Sequence, residues 1–396
     1  MWYFIILAIL TCIIVMSLYI RVKSPFWRIQ PVFHIYDIHH WLLPRGLINP
    51  DLPEINKYVD KLAITTKKIN EWDIETTHRV ADFIRRNYLR NKLTNYEPTY
   101  TDIFEPLKSF GTSTYLSINK TPMVRITDKG ETINDYEILS TITSRPLQIR
   151  LKSKPPMVIN YIDNLCVAKG CRQKGFAPKA IQTIHYDIRR MSPDIKICLF
   201  KREGDMTGIV PFTTCRAYIY NLDMIPKLKV KYPNIKLVKI TARMVNLLSE
   251  LYKSVDQDFD VKIEPDFNLL IHLISIDKIV IYGLISEGVL NTAYIFRTPS
   301  TYYCNAAVIE CIATINGYSN DKQNETFITG FIQSMCRYRK ECKAKYIAFE
   351  DMGHTTLITN SFKKLKVKIT ETYPVGFFLY NYACYSIDSK KCLIIL

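Results

Sequence analysis

Two rhythms of apolar and polar positions run along this 396-residue chain. Spacings of three and four put Val80, Phe83 and Ile84 on one face of a helix over 76–89, and Ile181, Ile184 and Ile188 on one face of another over 178–190. Met244, Leu247, Leu248 and Leu251 repeat the pattern over 241–253, as do Phe327, Phe331 and Met335 over 325–339. Between them, runs rich in β-branched and aromatic residues predict strands over 114–119, 123–127, 136–143, 157–167, 196–200, 346–350 and 377–382. Glu287-Gly288, between apolar runs over 278–286 and 289–297, predicts a hairpin turn. A segment rich in Pro and aromatics over 24–70 predicts one short helix over 54–62. Strands alternating with helices twice over predict an α/β or α+β fold in two half-domains, as the length also does.

A different pattern comes first. No residue from 2 to 20 is charged, and at about 1.5 Å per residue that run spans roughly the 30 Å of a bilayer core. Trp2, Tyr3 and Tyr19 lie near its ends, where interfacial aromatics belong. No Lys or Arg precedes it and Arg21-Val22-Lys23 follows, which predicts an uncleaved transmembrane helix rather than a signal peptide. The basic flank on the C-terminal side predicts a main domain facing the cytoplasm.

The formal charge of +16 calls for an anionic partner: nucleic acid, lipid head groups or a phosphorylated cofactor. The basic residues are scattered, and no zinc-finger or RNA-recognition signature occurs, so nucleic acid is not expected. The eleven cysteines form no C-x-x-C pair and suggest neither a disulfide framework nor a metal site. G-x-S-x-G and H-E-x-x-H are absent, and His39-His40 is not followed by Cys as an S-acyltransferase would require.

The chemistry concentrates at 161–178. A strand-like run leads into the basic turn Arg172-Gln173-Lys174-Gly175-Phe176-Ala177, and a helix follows, with Pro178 expected at its first position. Turn N–H groups and a helix N-terminus together hold a pyrophosphate. The Arg-x-x-Gly-x-Ala spacing resembles the acyl-CoA signature of the GNAT (N-acetyltransferase) fold. Asn164-Leu165-Cys166-Val167, with Lys169 and the Arg172–Pro178 turn, resembles the N-myristoyltransferase family more narrowly. In the same order, that family is resembled by Phe26-Trp27-Arg28-Ile29-Gln30-Pro31-Val32, by Ile142-Thr143-Ser144-Arg145-Pro146-Leu147-Gln148-Ile149-Arg150, by Thr214-Cys215-Arg216, by Thr298-Pro299-Ser300-Thr301 and by Phe378-Leu379-Tyr380-Asn381-Tyr382. The similarity spans about 24–396, with about 36–70 unmatched.

This resemblance implies tandem GNAT-like halves in a pseudo-twofold arrangement, an acyl-CoA-binding half over 71–232 and a second half over 233–396, preceded by an arm over 21–70; the anchor over 1–20 is a departure from the family. It implies transfer of a fatty acyl group from myristoyl-CoA, a co-substrate rather than a resident cofactor, to the N-terminal glycine of proteins, with no metal. The oxyanion would meet the backbone N–H groups of Asn164 and Leu165. The α-carboxylate of Leu396 would be the base, and the apolar ending Cys392-Leu393-Ile394-Ile395-Leu396 separately predicts a tail packed inside. CoA would be held by Lys169, Arg172, Gln173, Lys174 and the N–H groups of Gly175, Phe176 and Ala177, with Phe26 and Trp27 over the nucleotide.

The acceptor side departs from the family pattern. Asp163 stands where the family has Asn, and Arg216-Ala217-Tyr218-Ile219 has lost a histidine. The acidic loop near 370–374 keeps only Glu371, and a family loop is replaced near 202–205. A degenerate relative serving as a membrane-bound scaffold, or a related enzyme acting on a small amine, are the alternatives. The abundance of Ile, Lys, Asn and Tyr fits an AT-rich genome, such as a viral one.

Overall fold

The computed structural model describes residues 2–44, 46–88, 93–126, 131–152, 154–206, 208–228, 234–318 and 320–396. The first half contains β1 (Ile64–Lys68), α2 (Ile74–Asn87), α3 (Tyr100–Ser109), the long strands β2 (Tyr115–Ile126) and β3 (Thr132–Leu151), then β4 (Met157–Val167), α4 (Phe176–Met191), β5 (Cys198–Glu203) and β6 (Thr213–Asn221). The second half contains β7 (Lys236–Ile240), α5 (Val245–Ser254), β8 (Val261–Glu264), α6 (Phe267–Ser275), β9 (Ile279–Ser286), β10 (Thr292–Arg297) and β11 (Ala306–Asn316). It closes with α7 (Asp321–Cys342), β12 (Tyr346–Glu350), α8 (Thr355–Lys364), β13 (Ile369–Tyr380) and β14 (Cys392–Ile394). A mixed α/β protein with one large sheet results.

One unit occurs twice. β4, α4 and β5 match β11, α7 and β12: in each, a strand pairs parallel with the strand that follows its helix. In each, the antiparallel ladder on the other side of the first strand carries a bulge, between Thr141 and Thr143 opposite β4 and between Ile295 and Phe296 opposite β11. A bulge turns the strand and deepens its twist, which helps the parallel neighbours diverge. The β4–β5 ladder stops at Tyr161 and Leu199.

The halves are stitched by exchanged strands. β13 lies between β5 and β6, antiparallel to both, and β6 also pairs with β12. β8 pairs with β3 and, in parallel, with β14. Apolar side chains from both halves, among them Leu199, Val261, Ile263, Ile295 and Phe377, therefore share one core.

Two motifs read separately in the sequence meet here. Val32 bridges Tyr380, the Tyr380 hydroxyl bonds Gln30 Oε1 at 2.5 Å, and the Asn381 N–H donates to the Pro31 carbonyl at 2.6 Å.

Several expectations are corrected. No helix forms over 54–62; Asn56 Oδ1 accepts from the Tyr58 N–H and Asp60 Oδ1 from the Ala63 N–H, local bonds that compete with a helix. The strands expected over 114–119, 123–127 and 136–143 are two long antiparallel strands instead. The helix expected from Pro178 begins at Phe176, so Pro178 stands third, still within the first turn whose N–H groups need no intrahelical partner. The apolar start forms α1 (Trp2–Lys23), with Arg21 and Lys23 in its last turn. Among the described residues no helix is long and apolar enough to cross a membrane; the side chains at 6, 8–10 and 12 lie outside them, so the expected span is not shown. The end of α1 is fixed to the body: Ile20 packs on Gly208, and the Arg21 guanidinium sits 4.5 Å from the Tyr36 ring.

Candidate active site

Where β4 and β5 part, a cavity of about 850 Å³ opens, a size suited to a ligand. Its two sides differ in chemistry. On the α4 side the wall is apolar, with Trp27, Ile162, Leu165, Ile181, Ile184 and Phe200. Trp27 stacks on Phe200 at 5.7 Å and 16°. On the other side stand Tyr96, Arg145, Tyr161, Asp163, Arg297, Glu310 and Leu396.

The structure brings Asn164 and Leu165, from the middle of the sequence, and Leu396, its last residue, to the wall of one cavity. Asn164 sits at the β4 bulge with φ of 50°, a left-handed conformation that Asn tolerates. Its side-chain Nδ2 donates to Thr143 Oγ1 at 3.0 Å, and its N–H donates to Asp163 Oδ1 at 2.7 Å. The donor expected to face the oxyanion is thus held by a carboxylate at the position where the resembled family carries Asn.

The tail is placed by pairing. β14 runs beside β8, the Ile395 N–H donates to the Ile263 carbonyl at 2.8 Å, and Cys392 to Ile395 are buried. The Leu396 terminal oxygen accepts from Arg297 Nη2, while Arg297 Nη1 lies 3.4 Å from Glu310 Oε2. Burial alone would lower the Arg297 pKa, but Glu310 and neighbouring groups hold it above its ordinary value. Glu310 also accepts from Thr301 Oγ1 at 2.7 Å, which ties the Thr298–Thr301 motif to the terminus.

The basic turn stands beside this cavity rather than in its wall. Residues 172–175 are exposed; Gln173 and Gly175 have φ of 63° and 83°, and Gly175 is the N-cap of α4. The first-turn N–H groups at Phe176 and Ala177 have no intrahelical acceptor. Arg172 is partly committed, with Nη2 donating to the Asn87 carbonyl at 2.5 Å, and the Lys169 N–H donates to Asn87 Oδ1 at 3.2 Å. Lys174 is exposed. Phe26 is buried, edge-on to Tyr58 at 5.1 Å, whereas Trp27 reaches the cavity.

Sequence reasoning missed Arg145, Arg297, Lys201, Glu310 and Glu350. Arg297 adjoins the Thr298–Thr301 motif, and Arg145 occupies a variable position inside another, so both lay next to readable signals. Burial works against the Lys201 charge, yet Glu350 at 2.6 Å and Glu203 at 2.8 Å keep its pKa well above the usual value. No group of three or more metal-ligating side chains occurs among the described residues.

His185, also in the wall, is 6 % exposed and neither ring nitrogen has a partner among the described residues. Burial, then the charges of Arg189 and Arg190, push its pKa down to about 3. The unfolded chain takes up a proton near pH 6.5 that the fold refuses. Stability from this residue is complete above pH 6.5 and is lost as pH falls toward 3. Between pH 7 and 5, wild type should lose about 2 kcal/mol more than His185→Phe; denaturant unfolding at both pH values checks this, and equal losses would refute it.

No family model matches the sequence, and no curated protein matches it. Solved structures do share the fold. The chain is similar to Saccharomyces cerevisiae N-myristoyltransferase with bound myristoyl-CoA, at 17% identity and a TM-score of 0.68, covering 92% of this chain and 94% of that one. A second structure of the yeast enzyme, with bound myristoyl-CoA and inhibitors, gives 18% identity and a TM-score of 0.70, covering 92% and 91%. The fold is therefore that of the N-myristoyltransferases.

Proposed function

We propose that this protein is an acyl-CoA N-acyltransferase that moves a fatty acyl group, myristoyl in the simplest case, from CoA to the N-terminal glycine of protein substrates. One observation carries the reading: the chain's own terminal carboxylate lines the same cavity as the Asn164–Leu165 bulge. The acyl chain takes the apolar side, and the CoA phosphates take the turn 172–177 with its N–H groups and Lys174. The Leu396 carboxylate removes a proton from the substrate ammonium. The freed amine attacks the thioester carbon, a C–N bond forms, and the C–S bond breaks as sulfur leaves, the proton shed by the attacking nitrogen passing to it to give the CoA thiol. Backbone N–H groups at Asn164 and Leu165 receive the developing oxyanion, which requires Asp163 to release the first of them. Arg297 donates a hydrogen bond to the terminal carboxylate and fixes its direction.

In this reading the chain divides near 232 into two acetyltransferase-like halves, supported by the repeated strand–helix–strand unit. Residues 2–20 tether the protein to a membrane with the body on the cytoplasmic side. Support comes from their lack of charge, the basic flank, and exposed Ile38, Trp41, Leu42 and Leu43 in the segment joined to the end of α1. A second reading, a scaffold that binds acyl-CoA without transfer, is favoured by the Asp163 grip on the Asn164 N–H.

Incubating the full chain with radiolabelled myristoyl-CoA and glycine-starting peptides separates these readings. Label in peptide supports the enzyme, label bound to protein alone selects the scaffold, and no binding refutes both. Deleting 2–20 should move the protein from the membrane to the soluble fraction; unchanged sedimentation with membranes would refute the tether.

A further inference from the structure

We propose that Arg145 is an anion-binding residue on the acceptor side of the cavity, and that it receives a carboxylate side chain near the N-terminus of the acyl acceptor. This inference rests on the acyltransferase reading and adds a substrate class to it.

The argument is one of charge matching. Five basic side chains line the cavity: Arg145, Lys201, Arg202, Lys278 and Arg297. Lys201 has Glu203 and Glu350, Lys278 has Asp102 at 2.9 Å, and Arg297 has Glu310 and the chain terminus. Arg202 Nε donates to the Asp205 carbonyl at 2.6 Å. Arg145 alone, among the described residues, has no hydrogen bond or ion pair. Its guanidinium instead lies 4.5 Å from the Phe110 ring centroid and 4.9 Å from that of Tyr161, its cross-strand partner.

Aromatic rings occupy the guanidinium faces and leave the N–H edges, the part shaped for a carboxylate, without an acceptor. Asp163 is an acid whose charge acts on Arg145, but it forms no ion pair with it and its Oδ1 is spent on the Asn164 N–H. Arg stays charged when partly buried, so the site holds a fixed cation facing the space where an acceptor must enter. The position is one the Ile142–Arg150 motif leaves variable, so the resemblance does not account for it. An acidic acceptor residue would complete the matching with a two-point, charge-assisted bond.

The test uses the full chain loaded with a non-hydrolysable thioether analogue of myristoyl-CoA, whose own binding is measured first. Glycine-starting peptides carrying Asp at position two, three or four are compared with Asn counterparts by titration calorimetry. At one position or more, the Asp peptide should bind about tenfold tighter. Arg145→Gln should erase that preference without changing analogue affinity, and Arg145→Lys should keep its sign with a smaller size. Equal binding of Asp and Asn peptides at every position, no peptide binding, or a preference that survives Arg145→Gln overturns the proposal. Failure of the analogue to bind wild type would instead strike the acyltransferase reading itself.

Discussion

Appending Gly-Gly after Leu396 is expected to cut acyl transfer at least about 100-fold, the lower range of what a positioned base contributes, while acyl-CoA still binds. The tail has no slack to absorb the addition. β14 is locked beside β8 in a fixed register, and the Ile395 N–H is bonded to Ile263 one residue before the end. Cys392 and Ile395 are fully buried, so sliding the strand to restore the carboxylate would misplace each of them. The extension replaces an anion at the Arg297 guanidinium by a neutral peptide carbonyl. The turn and the α4 side, where the proposal seats acyl-CoA, lie elsewhere and should be spared. Single-turnover transfer and equilibrium acyl-CoA binding, measured on the same preparation, check the result; transfer within twofold of wild type would remove the carboxylate from the mechanism.

Phe331→Ala is expected to cost about 3–5 kcal/mol of stability. Phe331 is fully buried on α7, and its ring meets those of Tyr294 at 5.9 Å, Phe296 at 6.2 Å, Phe349 at 5.9 Å and Phe362 at 6.3 Å. The site cannot collapse to fill the void. The neighbouring Gly330 already lies so close to the sheet that a Cβ there would come within 2.4 Å of Tyr294 Oη and 2.7 Å of Leu284 Cδ1. A helix seated at backbone distance cannot move further in, so the cavity term adds fully to the lost burial. Denaturant unfolding measures the loss; a change under about 1 kcal/mol would show that the helix repacks.

Local pattern carried much of the architecture. Strands over 157–167 and 346–350 coincide with the observed ones because each is a short apolar run between clear breaks. The Glu287-Gly288 hairpin was legible because both residues adopt positive φ, 52° and 80°, as such a turn demands. The helix over 54–62 failed since Asn56 and Asp60 spend their side chains on nearby N–H groups, which periodicity does not register. The long β2–β3 hairpin was cut into pieces because its far end, with exposed Met123, Val124 and Ile126, projects from the core and loses the alternation of a half-buried strand.

The site divides along the same line. Asn164, Leu165 and the turn 172–177 lie within one contiguous signal, so they could be read together. The pairing of Arg297 with the terminus joins residues whose adjacency exists only after β10 and β14 are in place. Arg145 was hidden for another reason: nothing local distinguishes an arginine that finds an acid from one that does not.

The interleaving of β13 between β5 and β6 has a bearing on synthesis. Until residues 369–380 have emerged from the ribosome, the two strands of the first half have no partner to fill the gap between them. That part of the sheet therefore closes late in synthesis, and its open edges stay unpaired until then.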